Sequence, residues 1–529
     1  MPSPQPSPLV QALLQPTAYP ERPASVELAE THISHLFFTP HHVYKVKKAV
    51  NFGFLDFTTL EKRRYYCHQE VELNRRISPQ VYLGVMEVRR QGGRYTVEGP
   101  GETVEYAVKM RRLPQERLLA TLLRQGEVTP EDIRRLGIKI AAFHAGAGTS
   151  PDITRLGGLE AVRQNLEENF AQTRQYVGAC LSQDTFDDLE AYSHAFMALK
   201  ERLFRQREAQ ERVRDCHGDL HTGQIFLENG ISIIDCIEFN ERFRYSDVAA
   251  DLAFLAMDLD FYNRQDLSRL LVETYVEASG DPGVRELMDF FKVYRAYVRG
   301  KVTAFRLDDP TLGEEERQRV VSQAQAYFHL AHSYAQPFPR PALVLVCGLT
   351  GAGKTTVAQE LARRWGLTSI SSDQVRKELA GMAATEHQYV AFGQGIYSPE
   401  FSQLTYQTML QRAEEELHQG RSVVLDATFR RAGERVQAVA LAHSLGVETW
   451  VVECVLEEGE VRRRLEERVR QGGSVSDSRW ELYGPMQEQW EPVREVPAGR
   501  YLRVDTSPAL QEVMRRLSRD WWERQLGAG

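Results

Sequence analysis

The chain changes character along its length through the rhythm of its apolar residues. Short runs with strand-like alternation open it: HISHLFF (32–38), HHVYKVKK (41–48) and VEYAVKM (104–110). RRQGGRYTV (89–97) predicts a hairpin turning at Gly92–Gly93, because glycine takes the positive φ of a two-residue turn without penalty. Helical periodicity then takes over. TPEDIRRLGIKIAAFHAG (129–146) carries apolar residues at 133, 136, 140 and 143, behind a Thr129 cap and Pro130 at the first helical position. Further on, strand-like runs at 343–347, 368–371, 422–426, 449–455 and 500–505 alternate with helical segments, which predicts a parallel sheet wrapped by helices. Between the two regimes lies AQPFPRP (335–341), three prolines in seven residues. Such a stretch predicts a linker.

A length of 529 residues is too great for one hydrophobic core. The expected division is a disordered Pro/Ser-rich stretch over 1–25, a domain over 26–334, the linker over 335–341 and a second domain over 342–529. Apolar (42%) and charged (26%) contents are those of a globular protein, and the net charge of −8 argues against a general nucleic-acid or membrane-surface binder. Six cysteines without a CxxC pair predict reduced thiols and a cytoplasmic protein. No apolar run approaches the ~20 residues that span a bilayer. MPSPQPSPLVQALLQP has no basic residue before its short apolar run, which Pro16 breaks, so neither a signal peptide nor an anchor is expected. No partner membrane is implied, and oligomeric state is not legible. All six tryptophans follow the linker, which confines that fluorescent reporter to one half.

Candidate chemistry concentrates in two places. The first is GLTGAGKTT (348–356), which satisfies G-x-x-x-x-G-K-[ST] through Gly348, Gly353, Lys354 and Thr355, between a predicted strand and a predicted helix. In such a loop, backbone N–H groups of Thr350, Gly351, Ala352 and Thr356 and their neighbours cradle phosphates, Lys354 reaches the β/γ-phosphates and the Thr355 hydroxyl holds Mg²⁺. Asp373 follows the second strand of this half, and Asp426 ends the third. Both stand at the carboxyl edge where open α/β sheets bind ligands, Asp373 to orient an acceptor hydroxyl and Asp426 to support the metal. VRRRLEERVRQGG places Arg464 and Arg468 four apart on one helix face, as a clamp for phosphoryl oxygens. The bland alternative for that stretch is a solvated charged helix.

The second place is HGDLHTGQ (217–224), with Asp219 five residues before Gln224, followed by IIDCIEFN and its Asp235. This spacing separates into a base for the acceptor hydroxyl (Asp219) and two metal ligands (Gln224 and Asp235). A strand lysine and a helix carboxylate are then required upstream. Residues two apart share a strand face. Lys45 facing the phosphates leaves Val43 to line the base, whereas Lys47 in that role pushes Lys45 onto the base. Lys45 is therefore the expectation, with Glu70 as its partner and Glu72 as the rival. VEYAVKM, through Val108 and Met110, is expected to supply hinge backbone to the base. His217 and His221 are expected to buttress the loop, and His144 to lie in the core.

On GLTGAGKTT, SSDQVRK, VVLDATF and RRRLEER, residues 342–529 resemble the small P-loop kinases: the gluconate kinase, polynucleotide kinase and zeta-toxin group. The resemblance implies an acceptor hydroxyl at Asp373 and substrate contacts from Arg376 and Arg435. On HGDLH, IID and DVAADLAFL, residues 30–330 resemble the aminoglycoside-phosphotransferase family, which implies the bilobal α+β protein-kinase fold. Asp247 and Asp251 are expected to tie down the loop and a helix. Two departures stand out: HISH (32–35) occupies the place of a Gly-rich phosphate loop, and Gln224 replaces the usual Asn.

The resulting expectation is a bifunctional tandem kinase using ATP or GTP with Mg²⁺, Mn²⁺ being the alternative metal, on small-molecule acceptors that the sequence does not name. The rivals are a regulatory nucleotide switch, motivated by Gln224, and a nucleic-acid-end kinase in the second half, which the acidic charge disfavours.

Overall fold

The computed structural model describes residues 7–527 apart from 54, 229, 339–340, 384–385, 387–392 and 472–477. The chain separates into two compact units, Met1–Tyr176 with Glu201–Tyr334, and Val177–Lys200 with Ala335–Gly529.

The first unit begins with a six-stranded sheet of β1 (Glu27–Glu30), β2 (Ser34–Phe38), β3 (His42–Lys47), β4 (Tyr82–Gln91), β5 (Arg94–Val97) and β6 (Glu102–Arg111), in the order β1-β2-β3-β6-β4-β5. All its pairings are antiparallel. The β4–β5 hairpin turns at Gly92 (φ 56°) and Gly93 (φ 78°), as the dipeptide predicts. HISH spans the end of the turn after β1 and the first two residues of β2. The helix Leu60–Arg75 packs beside β4 and β6. Below the sheet the unit is helical. The expected helix runs Pro130–Gly146, with a reciprocal Thr129–Asp132 capping box. The strands β7 (Val213–Asp215), β8 (Ile225–Glu228), β9 (Gly230–Ile233) and β10 (Tyr245–Asp247) form two small antiparallel pairs, β7 with β10 and β8 with β9.

The expectation of disorder over 1–25 is corrected for residues 7–25, while 1–6 lie outside the described residues. Residues Pro8–Leu13 form a helix capped by Ser7, and Val10, Leu13, Ala18 and Tyr19 are buried against Phe37, Tyr44, Val88 and Val97. Pro8 and Pro16 stand at helix starts, where their missing N–H costs nothing. Enough apolar side chains punctuate them to cover the outer face of the sheet.

The second unit is built on β11 (Ala342–Cys347), β12 (Thr368–Ser371), β13 (Val423–Asp426), β14 (Glu448–Val455) and β15 (Tyr501–Asp505), all parallel, in the order β12-β13-β11-β14-β15. Alternate residues of β11 serve two cores. Val344 and Val346 pack with Trp365, Trp450 and Trp521, and Leu343 and Leu345 with Ile370, Met409 and Val423. Burial on both faces explains the uninterrupted ALVLVC run.

The expected domain of 26–334 is also corrected, because residues 177–200 belong to the second unit. The helix Gln183–Leu199 lies along the helix Leu510–Gly527. Asp188 Oδ1 accepts from Ser518 Oγ at 2.8 Å, Tyr192 meets Trp522 edge-on at 4.8 Å, and Asp184 Oδ1 pairs with Arg364 Nη2 at 2.6 Å. Phe338, within the expected linker, packs on Trp365 and Trp521. No described helix is long and apolar enough to cross a membrane.

Candidate active sites

In the first unit the pleat of β3 carries Val43, Lys45 and Lys47 to one face. Lys45 Nζ lies 2.8 Å from Glu70 Oε1 and 2.6 Å from Asp235 Oδ1. Glu70 is fully buried, whereas Glu72, two residues on along the helix, is exposed. Burial alone would raise the Glu70 carboxyl, but Lys45 and Lys47 hold it below the ordinary carboxylate value. Gln224 donates from Nε2 to Asp235 Oδ2 at 3.3 Å, which leaves its amide oxygen as the group able to face a cation. Asp235 itself has φ 66°, a left-handed conformation uncommon for a residue with a side chain. Its N–H donates to the Tyr82 hydroxyl at 3.0 Å.

Asp219 stands on the loop between β7 and β8 with its side chain 34% exposed. His221 Nε2 is 3.4 Å from Asp219 Oδ2, while His221 Nδ1 accepts the Gly223 N–H at 3.0 Å. The ring therefore presents its N–H to the carboxylate. Burial would raise Asp219, but His221, with Arg299 and His217, outweighs it and holds the carboxyl well below the usual range. Burial would lower His221, and Asp219 more than reverses that. His217 fixes the loop from behind: its Nε2 donates to the Ile234 carbonyl at 3.0 Å, and its Nδ1 accepts the Asp219 N–H at 3.3 Å. Asp251, on the helix Val248–Phe261, accepts the N–H groups of His217 (3.0 Å) and Gly218 (2.9 Å) as well as His144 Nε2 (3.1 Å). Asp247 caps that helix and pairs with the buried Arg207 at 2.6 Å.

The expected hinge is corrected. Val108 and Met110 lie inside β6, where Val108 sits opposite Lys45 and Val85, and Met110 opposite Val43 and Tyr82. Ladder pairing on both flanks uses their backbone groups, so they contribute buried side chains. The sequence reading weighed Lys47 only as a rival to Lys45 and did not foresee its pairing: its Nζ lies 2.6 Å from Glu70 Oε2 and also bonds Glu238. The period-two spacing with Lys45 was the available signal.

In the second unit, the loop after β11 turns on Gly348 (φ 137°), Gly351 (φ 76°) and Gly353 (φ 79°). A Cβ on Gly348 would stand 2.3 Å from the Cys454 carbonyl oxygen, so the loop's approach to β14 requires glycine. Thr350, Gly351, Gly353, Lys354, Thr355 and Thr356 line a cavity that Asp373, Arg376 and Asp426 also line. Ala352 lies beneath, its carbonyl accepting from Thr506 Oγ1 at 2.9 Å. Lys354 Nζ donates to the Leu349 carbonyl at 2.9 Å, and Thr355 Oγ1 to Asp426 Oδ2 at 2.7 Å. Burial raises the Asp426 carboxyl, against the opposing pull of Lys354 and Thr355. Arg376 Nη1 is 3.3 Å from Asp373 Oδ1, and its guanidinium stacks on Tyr397 at 4.7 Å.

Two expected contacts are displaced. Arg435 is fully buried and spends its guanidinium on Glu495 (2.8 Å) and the carbonyls of Phe429, Glu491 and Pro492. It braces the end of β13 and cannot meet a substrate there. Arg464 donates to the Thr506 carbonyl at 2.8 Å and lies off the cavity wall, whereas Arg468 lines it. One helical turn separates the two, and tertiary packing decides between them. The cavity also takes Tyr397, Arg430, Glu434 and Arg479, which the sequence reading missed. Arg430 follows Asp426 past the sheet edge, which was a usable signal. Tyr397 ends one short 3₁₀ turn and Arg479 precedes another, with no such signal.

These features define a kinase-like first unit and a second unit with the fold of a P-loop kinase. Residues 66–291 match the model of the phosphotransferase enzyme family, and residues 343–490 match that of an AAA domain. The chain belongs to the same family as the uncharacterized protein Rv2004c of Mycobacterium tuberculosis. The two are 33% identical over 429 residues, covering 80% of this chain and 83% of the relative. The Mycobacterium bovis protein Mb2027c, also uncharacterized, matches to the same extent, 33% over 429 residues. Among solved structures, a choline/ethanolamine kinase family protein from Mesorhizobium loti aligns at 12% identity with a TM-score of 0.38, covering 62% of this chain and 99% of its own. A gluconokinase from Sinorhizobium meliloti aligns at 19% identity with a TM-score of 0.25, covering 35% of this chain and 93% of its own.

Proposed function

We propose that the chain is a tandem kinase that transfers the γ-phosphate of ATP or GTP to hydroxyl groups of small molecules at two separate sites. The observation that carries this is Lys45 reaching both Glu70 and Asp235 in one unit, where His217 ties the Asp219 N–H to the Ile234 carbonyl just before Asp235, while Lys354, the Thr355–Asp426 pair and Asp373 line one cavity in the other. In the first site Lys45 orients the phosphates, Asp235 and the Gln224 oxygen hold Mg²⁺ or Mn²⁺, and Asp219 takes the acceptor proton. The acceptor oxygen forms a bond to the γ-phosphorus as the bond to the β-bridging oxygen breaks, and the nucleoside diphosphate leaves. In the second site Lys354 and Arg468 hold the phosphates, Thr355 and Asp426 hold the cation, and Asp373 orients the acceptor, with Arg376 binding it. The cation, when bound, neutralises charge on the β- and γ-oxygens. Six free, buried cysteines support a reducing, cytoplasmic setting.

The test is γ-phosphate transfer by the wild type, Asp219→Ala and Lys354→Ala. ATP and GTP are each offered with sugars, amino alcohols, aminoglycosides and 5′-hydroxyl oligonucleotides. The expected result is that each variant loses a different product. Loss confined to Lys354→Ala would favour a regulatory first unit, the reading that Gln224 motivates. Phosphorylated oligonucleotides would move the second unit to nucleic-acid ends.

A further inference from the structure

Lys47 has no role in the reaction just described, yet its side chain is completely buried. A lysine is stripped of water at a cost of several kcal/mol unless its charge is met in place. Here it is met twice, by Glu70 Oε2 at 2.6 Å and by Glu238, whose side chain is only 4% exposed. The Phe57 ring lies 4.9 Å from the same ammonium. Lys47 cannot touch a nucleotide, since it has no exposed surface. It touches the groups that do, through one intermediary on each side.

On one side is Glu70. With Lys45 alone, this carboxylate would be held by a single oxygen and free to turn about its terminal bond. With Lys47 on the other oxygen both positions are pinned, Oε1 to Lys45 at 2.8 Å and Oε2 to Lys47. On the other side is the segment after β9. Glu238 follows Asp235 by three residues, and Asp235 is held in its left-handed conformation. Such a conformation persists only where its surroundings over-determine it. Asn74, one turn beyond Glu70 on the same helix, adds a second tie, its Oδ1 accepting the Cys236 N–H at 3.0 Å and its Nδ2 donating to the Glu70 carbonyl at 2.8 Å. β3, the helix Leu60–Arg75 and the Asp235 segment therefore meet at one buried ion set of two lysines and two glutamates.

We infer that Lys47 and Glu238 are a positioning pair for the first phosphotransfer site, holding Glu70, and through it Lys45, in fixed register with Asp235. This rests on the reading of that site as a nucleotide site. It adds that the phosphate-holding lysine and the metal-holding aspartate are locked together before nucleotide arrives, by residues that never contact it.

The experiment uses the full chain with Lys354→Ala, to quiet the second site, and compares binding of Mg²⁺·AMPPNP with binding of adenosine. Adenosine reads the base pocket alone, and AMPPNP adds the phosphates. Lys47→Met with Glu238→Leu removes one charge of each sign and leaves Lys45 balanced by Glu70, so no buried charge is stranded. The expected result is AMPPNP affinity lower by on the order of tenfold or more, with adenosine affinity within about twofold, since small misplacements of such groups are costly. Glu238→Gln, which keeps the shape and loses the charge, is expected to fall between. AMPPNP affinity unchanged in the double variant overturns the inference. So does a parallel loss of both ligands, which marks a merely structural pair. If the Lys354→Ala parent binds neither these ligands nor their guanine counterparts, Mg²⁺·GMPPNP and guanosine, the reading of the site itself fails, and the inference with it.

Discussion

Thr355 and Asp426 meet at 2.7 Å, a hydroxyl from the first turn of the helix Lys354–Trp365 against a carboxylate at the end of β13. Neither residue is near the other in sequence. β13 and β11 are neighbours in the parallel sheet, so the strand that ends in Asp426 delivers it beside the loop that follows β11. That is where an open parallel sheet has its ligand edge.

From this pair comes the first prediction. Thr355→Ala and Asp426→Asn are each expected to weaken Mg²⁺ binding at the second site, raising the Mg²⁺ concentration for half-maximal turnover by roughly 10- to 100-fold. The check is a Mg²⁺ titration of nucleotide turnover in an Asp219→Ala background, with EDTA abolishing turnover outright. Unchanged Mg²⁺ dependence in both variants would remove them from the metal site.

Arg435 sets up a contrasting case. Its guanidinium is fully buried and pairs with Glu495. Arg435→Met strands that carboxylate and is expected to cost about 3–5 kcal/mol of stability. Chemical denaturation followed by tryptophan emission reads this directly, because all six tryptophans lie after residue 341. A full-stability variant with altered acceptor KM would restore Arg435 to substrate binding.

The Asp251 carboxyl gives a pH signature. Burial would raise it, but His144 and the other groups facing it outweigh burial and hold it at about 2. Its folded pKa lies below the unfolded value of ~4. Its stabilisation is therefore complete above pH ~4 and is lost as pH falls through the folded value. The amount at stake is on the order of 2 kcal/mol. Calorimetry of the wild type and Asp251→Asn between pH 5 and 2 (roughly the window set by these values) should show the gap between them closing as pH drops. A gap independent of pH would leave Asp251 without this role.

Residues 177–200 offer a test of the unit boundary. A fragment of 335–529 lacks Asp188 and Tyr192, the partners of Ser518 and Trp522. It is expected to show red-shifted tryptophan emission and a lower denaturation midpoint than the same fragment with 177–200 fused to it. Equal midpoints would return that helix to the first unit.

Much of this was legible in the residues themselves. Strand runs such as ALVLVC and the GG hairpin follow from local periodicity and turn chemistry, which a short window contains. The phosphate loop is likewise local, since its glycines and Lys354 act within nine residues. The choice of Lys45 could be argued from the pleat, because a period of two is intrinsic to a strand, whereas its partner stayed open between Glu70 and Glu72. Tertiary structure alone decided the rest. Arg435 and Arg376 are both arginines near a sheet edge, and only packing against Glu495 separates a buried brace from a cavity wall. Arg464 and Arg468 share one helix face in sequence, yet the Thr506 carbonyl claims the first. The helix Gln183–Leu199 carries an ordinary amphipathic pattern that says which face is apolar but not which core will take it. Charge pairs and core membership are relations between residues far apart along the chain, and no local signal encodes which distant partner will desolvate a given side chain.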